Sequence, residues 1–385
     1  MKIAITHSRF SLVGGAEKYI YFLLDLLLRG GHEIHYYCHY REDYRHPNLH
    51  FHHVPMIRGI RFLKAIGFAL ALESKICHRD YDIVHGFFKT YKQDIYTDGS
   101  GLVEVYHQYV LSQKQGVDRF LRDYSLYYQM DRFLEKLRFK KGNYRKIICM
   151  SRFVQDQIQG KYGVPDDRIT VLYNGMDCEF FHPRNVEAHR KEVRKELGLA
   201  EGDLVFLLIG NDYIRKNVAT ALKAFARLSP SSHVKLLITG RDKNQGDYET
   251  LAKGLGIASQ VLFAGSRRDI HRIHSASDVF LLPTHYDVFG MVVLEAMATG
   301  IPVLVSQTAG AAEIFEEKKE GMILQDPASE EELAGKIEVF LDSPTRRDMG
   351  DRARVRALDF SWEVHFDKLM KIYRDIGREK REENK

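Results

Sequence analysis

The sequence predicts an α/β protein made of two doubly wound, parallel-sheet domains. Three observations carry this: short β-branched runs alternate with helical patterns, the alternation restarts midway, and the strands of the second half are continuous apolar runs. A length of 385 residues fits two domains at roughly 100 to 200 residues each.

The first strand is expected at Lys2–Thr6, followed by a helix over residues 16–29 whose apolar face carries Ile20, Leu23, Leu24, Leu27 and Leu28. Gly30-Gly31 supplies its C-terminal stop. Further strands are expected at Glu33–Cys38 and at residues 48–54, 83–86, 146–150 and 169–173. The second series runs through Leu204–Ile209, 234–238, 261–263, Val279–Leu282 and 303–305. A strand such as Val205-Phe206-Leu207-Leu208-Ile209 suits a sheet buried on both faces. Between the two series, residues 178–185 have no period and contain a proline, as a linker would. The division read from this is residues 1–180, residues 181–360, and a C-terminal helix with a charged tail over residues 361–385.

Composition excludes several classes. Apolar residues make up 44% and charged residues 28%, and 22 Phe with 21 Tyr are too many for a disordered scaffold. No uncharged apolar run approaches the roughly 18 residues that span a bilayer, and the N-terminus enters a strand pattern without a signal-peptide layout, so a cytoplasmic protein is expected. Cys38, Cys77, Cys149 and Cys178 lack metal-site or disulfide spacing and read as four buried thiols. The net charge of +5 divides into +6 through Pro183 and −1 beyond it. That surplus is too small to suggest nucleic acid but hints at an anionic partner for the first half.

In open α/β sheets ligands bind beyond the carboxyl ends of the strands, so the loops there are the candidate site elements, with a cleft expected between two such domains. After Leu204–Ile209 comes Gly210, then Arg215-Lys216 just before a helix: a planar fork and a point charge suited to a diphosphate. A solvated pair on a loop is the plainer alternative. Asp287 and Glu295 stand eight positions apart, with Phe289-Gly290 between them allowing close backbone approach at a helix start. Glu295 lies in an apolar helix and needs a partner, either a ribose diol or a salt bridge within the helix. Gly14-Gly15 after the first strand serves a phosphate or a simple tight turn equally well. Asp98 fits a polar role beneath a sugar or an Asx turn. Asp80-Tyr81-Asp82 reads as a turn, and His85 and His107 as bonded structural residues.

Two stretches of the first half, residues 58–79 and 118–146, interleave basic and aromatic or aliphatic side chains. Arg58, Arg61, Lys64, Arg138, Lys140 and Lys141 are their candidates for contact with an anionic membrane or acceptor. Helices that pack on the core and show a solvated face are the alternative.

Taken together the motifs resemble the retaining glycosyltransferases of the GT-B fold, family 4, and within them the lipopolysaccharide-core glucosyltransferases. The resemblance rests on Gly14-Gly15-Ala16-Glu17, Arg29-Gly30-Gly31-His32-Glu33-Ile34, Asp82-Ile83-Val84-His85, Tyr173-Asn174-Gly175-Met176-Asp177, Arg215-Lys216, Thr239-Gly240, Ser275-Ala276-Ser277-Asp278, Phe289-Gly290 and Phe360-Ser361-Trp362-Glu363. It implies an acceptor-binding first domain, a nucleotide-sugar-binding second domain and a last helix returning to the first. It also implies that Arg215 and Lys216 hold the donor diphosphate, that Glu295 binds the ribose, and that Asp287 faces the transferred sugar where the family usually has Glu. Gly14, Gly15, Gly210, Gly240, Phe289 and Gly290 then line the donor, and Asp98 lies by the sugar. The implied activity is metal-independent, retaining transfer of a hexose, glucose by analogy, from a UDP-sugar to a lipopolysaccharide-core or other surface glycan or lipid. UDP-sugar is a substrate, so no cofactor is expected, and peripheral contact with the inner face of the cytoplasmic membrane is. The alternatives are a nucleotide-sugar epimerase, which needs a first-domain acid pair that the sequence does not display, and a non-catalytic sugar-nucleotide sensor at the membrane.

Overall fold

The computed structural model describes residues 1–11, 15–57, 59, 61–87, 90–112, 125–228 and 233–383. They form two compact units, Met1–Gly175 with Glu363–Lys385, and Met176–Trp362.

The first unit runs β1 (Lys2–Thr6), β2 (Arg9–Phe10), α1 (Gly15–Arg29), β3 (Glu33–Cys38), β4 (Tyr40–Arg41), β5 (Leu49–His53), α2 (Arg61–Lys75), β6 (Ile83–Phe87), β7 (Ile95–Asp98), α3 (Val103–Ser112), α4 (Leu126–Arg138), β8 (Lys146–Cys149), α5 (Arg152–Tyr162) and β9 (Ile169–Val171). Seven strands form a parallel sheet in the order β5-β3-β1-β6-β7-β8-β9. The α1 stripe buries Ile20, Leu23, Leu24, Leu27 and Leu28 together with Tyr19. It ends where Gly31 turns to φ +74° and the His32 amide donates back to the Leu27 carbonyl at 3.1 Å. Ser151 caps α5 by accepting the Val154 amide, and Gly163 closes it at φ +60°.

The second unit runs α6 (Arg184–Glu196), β10 (Leu204–Ile209), α7 (Val218–Arg227), β11 (Val234–Thr239), α8 (Gln245–Gly254), β12 (Val261–Gly265), α9 (Ile270–Ser275), β13 (Val279–Leu282), α10 (Met291–Ala298), β14 (Val303–Ser306), β15 (Gly321–Leu324), α11 (Glu330–Val339) and α12 (Ser343–Ala357). Its parallel sheet has the order β12-β11-β10-β13-β14-β15. All six residues of β10 are buried, as a strand covered on both faces requires. The core includes Phe206, Leu208, Leu222, Phe225, Leu281 and Phe340.

The last helix, α13 (Trp362–Glu383), belongs to the first unit apart from its opening residue. Its Tyr373 hydroxyl lies 2.6 Å from His85 Nδ1, and His365 Nε2 lies 2.9 Å from the Tyr19 hydroxyl. Lys380 is buried and donates to the His78 and Tyr81 carbonyls, both at 2.9 Å, and to Asp94 at 2.7 Å. A buried ammonium with three acceptors offsets much of its desolvation cost, and this arrangement orients the helix on the sheet.

Three expectations are corrected. Strands β7 and β15 and helix α6 were not anticipated: the strands have only four residues each, too few to show a period, and α6 is so polar that its apolar stripe is reduced to a few small residues such as Val186 and Val193. Cys77 is exposed, because it follows α2 at the start of a turn; the other three thiols are buried. Arg138 is not an outward-facing residue. It is 7% exposed, with Nε donating to the Thr90 carbonyl at 2.9 Å and its guanidinium 4.5 Å from the Tyr96 ring centroid.

Candidate functional site

The strand order of the second unit reverses direction at β10 and β13, and a topological switch point of this kind leaves a crevice at the carboxyl ends. The loop after β10 carries Arg215 and Lys216, and the loop after β13 carries Asp287, so the fold brings the three together. Lys216 Nζ lies 2.8 Å and Arg215 Nη1 3.1 Å from the same oxygen, Asp287 Oδ2. Arg215 Nη1 also donates to the Tyr286 carbonyl at 3.1 Å.

Each loop is preset by its own backbone bonds. Asp212, at φ +63°, accepts the Arg215 amide on its side chain at 3.2 Å and the Lys216 amide on its carbonyl at 3.0 Å. Asn217, at φ +58°, precedes α7 and donates to the Pro327 carbonyl. The Arg215 carbonyl accepts the Thr284 hydroxyl at 2.8 Å and the His285 amide at 2.9 Å, tying the two loops together. On the far side, the Asp287 amide donates to the Thr308 carbonyl and the Asp287 carbonyl accepts the Gly310 amide. None of Asp212, Thr284, Thr308 or Gly310 was singled out from sequence. The residues beyond 305 have small side chains after a strand, a signal that could have directed attention to them.

The glycines have steric reasons. The Lys216 stem runs so close to Gly210 that a Cβ there would sit 2.6 Å from Lys216 Cε. Gly240, at φ +137°, approaches Gly210 so tightly that its Cβ would lie 2.2 Å from the Gly210 carbonyl oxygen. Gly290 precedes α10 at φ +95° and is buried beside Phe289. Gly15 opens α1 with open space about it, while Gly14 lies outside the described residues.

Lys216 is 5% exposed and Asp287 is half-buried. Burial pulls the Lys216 ammonium below its usual range, with Asp287 opposing it. Burial pushes the Asp287 carboxyl up, but Lys216 and Arg215 outweigh this and hold it below the usual carboxylate range. The result is a preorganised pair of cations around an ionised acid, an arrangement able to receive an anionic group that competes with the acid for its donors.

Glu295 sits in α10 as expected, and its protein partner is not a salt bridge within the helix. Its Oε2 lies 3.4 Å from Nε2 of His274, a fully buried residue of α9. In the first unit, Asp98 is buried and accepts the Ser100 and Gly101 amides at 3.0 and 2.8 Å, the bonds of an Asx turn; burial raises its carboxyl. His85 is bonded on both ring nitrogens, to Tyr373 and to Thr97 at 2.7 Å. Lys140 and Lys141 are exposed and Lys64 is half-buried; Arg58 lies outside the described residues, as does the Arg61 side chain.

Residues 13–180 match the family described as Glycosyltransferase Family 4, and residues 189–356 match Glycosyl transferases group 1. The lipopolysaccharide glucosyltransferase WaaG of Escherichia coli is 28% identical over 276 residues, 71% of this chain and 72% of that protein. The crystal structure of WaaG, a glycosyltransferase involved in lipopolysaccharide biosynthesis, superposes with a TM-score of 0.80 at 23% identity, covering 96% of this chain and 99% of that one. HepE of Anabaena in complex with UDP-glucose gives a TM-score of 0.72 at 18% identity, covering 97% and 100%. These likenesses establish the two-domain GT-B fold for the chain.

Proposed function

Since the chain belongs to glycosyltransferase family 4, we propose that it transfers glucose, with retention, from UDP-glucose to a lipopolysaccharide-core or related surface glycan or lipid. The observation that carries this reading is the convergence of Arg215 and Lys216 on Asp287 at the switch point of the second sheet. The similarity to WaaG and the UDP-glucose complex of HepE support the choice of donor and acceptor class.

In this reading the donor diphosphate takes donors from Arg215 and Lys216, and Asp287 turns its carboxylate to hydroxyls of the sugar. Glu295 holds the ribose diol. As the bond from the sugar to the diphosphate breaks, negative charge grows on the leaving oxygen, and fixed cations there stabilise the transition state more than the ground state. A leaving phosphate oxygen accepts the acceptor's proton on the face of departure, so the scheme requires no enzyme nucleophile and no metal. Asp287 and Glu295 are not an acid/base pair of the hydrolase kind.

The membrane-facing surface is proposed for Lys64 of α2 and for Lys140 and Lys141 just beyond α4, with the exposed Leu70 in α2 and Phe133 in α4; α2 and α4 pack together through Ala69 and Leu134. The proposed contact is peripheral, at the cytoplasmic face; among the described residues no helix is long and apolar enough to cross a membrane. Each basic residue contributes about 1 kcal/mol near an anionic surface.

The decisive experiment incubates the purified chain with UDP- and GDP-sugars and acceptor-bearing membranes, with and without EDTA. The expected outcome is α-linked product from UDP-glucose in both conditions; no transfer from any UDP-sugar overturns the reading. Vesicles containing phosphatidylglycerol should bind the protein at low salt and release it at high salt, and charge reversal at Lys64, Lys140 and Lys141 should abolish binding.

A further inference from the structure

The geometry points to a divalent transition-metal site formed by Glu33, His35 and His50 at the edge of the first sheet, which clamps the edge strand β5 to β3. The parallel register sets His35 directly beside His50 and Tyr37 beside His52. Alternation along a strand then puts Glu33, His35, His50 and His52 on one face. One oxygen of Glu33 and one ring nitrogen from each of His35 and His50 all lie within 4.8 Å of one another. Tetrahedral bonds of about 2.0–2.2 Å place ligand atoms roughly 3.3 Å apart, so modest side-chain rotation completes the set. One pair is already close, with His35 Nε2 2.8 Å from Glu33 Oε1.

His52 supplies the outer support that metal-binding imidazoles need. Its Nε2 lies 2.8 Å from His35 Nδ1, and the rings stack at 5.0 Å. With all rings neutral, His52 donates to His35 and His35 donates through Nε2 to Glu33. Metal on His35 Nε2 reverses this relay: His35 keeps one proton, now on Nδ1, and donates it to His52, whose own proton moves to Nδ1. No net proton is released. A carboxylate, two imidazoles and open positions suit zinc, copper or nickel, whereas magnesium and calcium call for an oxygen-rich set. Glu33 and His50 are exposed, leaving room for water ligands, while the His35 side chain is only 13% exposed and so held in place. Two cations oppose the metal. Lys2 Nζ lies 3.8 Å from Glu33 Oε1 with an exposed side chain free to swing away, and Lys75, exposed as well, acts on His52. A bound ion would staple a strand that otherwise presents an open sheet edge.

The test titrates the full-length protein, stripped with EDTA and dialysed, with zinc chloride in a calorimeter. One ion per chain with a dissociation constant in the micromolar range is expected, together with a rise in the thermal midpoint. Glu33→Gln and His50→Ala should each weaken binding at least about tenfold, and His52→Ala by roughly ten- to a hundredfold through the lost support. The paramagnetic resonance spectrum of added Cu2+ should show two coupled nitrogens, reduced to one in His50→Ala. Absence of binding, or binding that Glu33→Gln and His50→Ala both leave unchanged, overturns the site. Both positions are exposed, and far-UV circular dichroism of the metal-free variants checks that they fold.

Discussion

Lys216 Nζ lies 2.8 Å from Asp287 Oδ2 although 71 positions separate them in the chain. The contact exists because their strands, β10 and β13, are neighbours in the sheet and both loops leave from its carboxyl end. An ammonium this buried is stable as a cation only because the acid is beside it.

Replacing Lys216 with Ala should therefore remove the charge proposed to face the diphosphate and leave Asp287 with Arg215 alone. Turnover with UDP-glucose is expected to drop roughly a hundred- to a thousandfold, the effect typical of deleting one preorganised donor, and UDP binding measured by calorimetry should weaken. UDP affinity equal to that of the wild type would remove Lys216 from the site.

Asp287→Glu lengthens the acid by one methylene while keeping its charge. The variant is expected to keep UDP affinity but to change relative rates across UDP-glucose, UDP-galactose and UDP-N-acetylglucosamine, since in the proposed reading the shift acts on the sugar. An unchanged ranking in a donor panel would separate Asp287 from sugar selection.

The two glycines should fail differently. In Gly240→Ala the added methyl meets the Gly210 carbonyl at 2.2 Å, backbone against backbone at positive φ, so stability should drop by about 1–3 kcal/mol or more in urea unfolding. In Gly210→Ala the obstacle is the flexible Lys216 stem at 2.6 Å, which can move. Its thermal midpoint should change less than that of Gly240→Ala, while UDP affinity is lost as the ammonium is displaced.

Acid should destabilise the first unit before ordinary carboxylates titrate. Burial lowers His85 from 6.5 to about 3 and His365 to about 4. The unfolded chain takes up these protons below about pH 6.5 and the folded chain does not, so their stabilising contribution is full above that pH. It declines as pH falls towards 3, at up to about 1.4 kcal/mol per pH unit for each ring. Urea midpoints measured from pH 7 to 4 should show a shallower slope in His85→Gln; an identical slope would contradict a neutral buried His85.

Sequence alone determined the layers of this protein. Continuous apolar strands such as Leu204–Ile209 and the striped helix after β1 are local patterns that only one kind of environment satisfies, so they were legible without coordinates. Arg215, Lys216, Asp287 and Gly290 were also legible as site candidates, because charge and glycine beside a strand end are local signals. Tertiary structure decided what these residues touch. It gave Glu295 a buried His274 as partner, turned Arg138 inward onto Tyr96, assigned Gly210 to the path of Lys216, and gathered Glu33, His35 and His50 at one sheet edge. Such pairings depend on strand order and register, which are set by the sum of many weak long-range contacts and leave no trace in the spacing of a single segment.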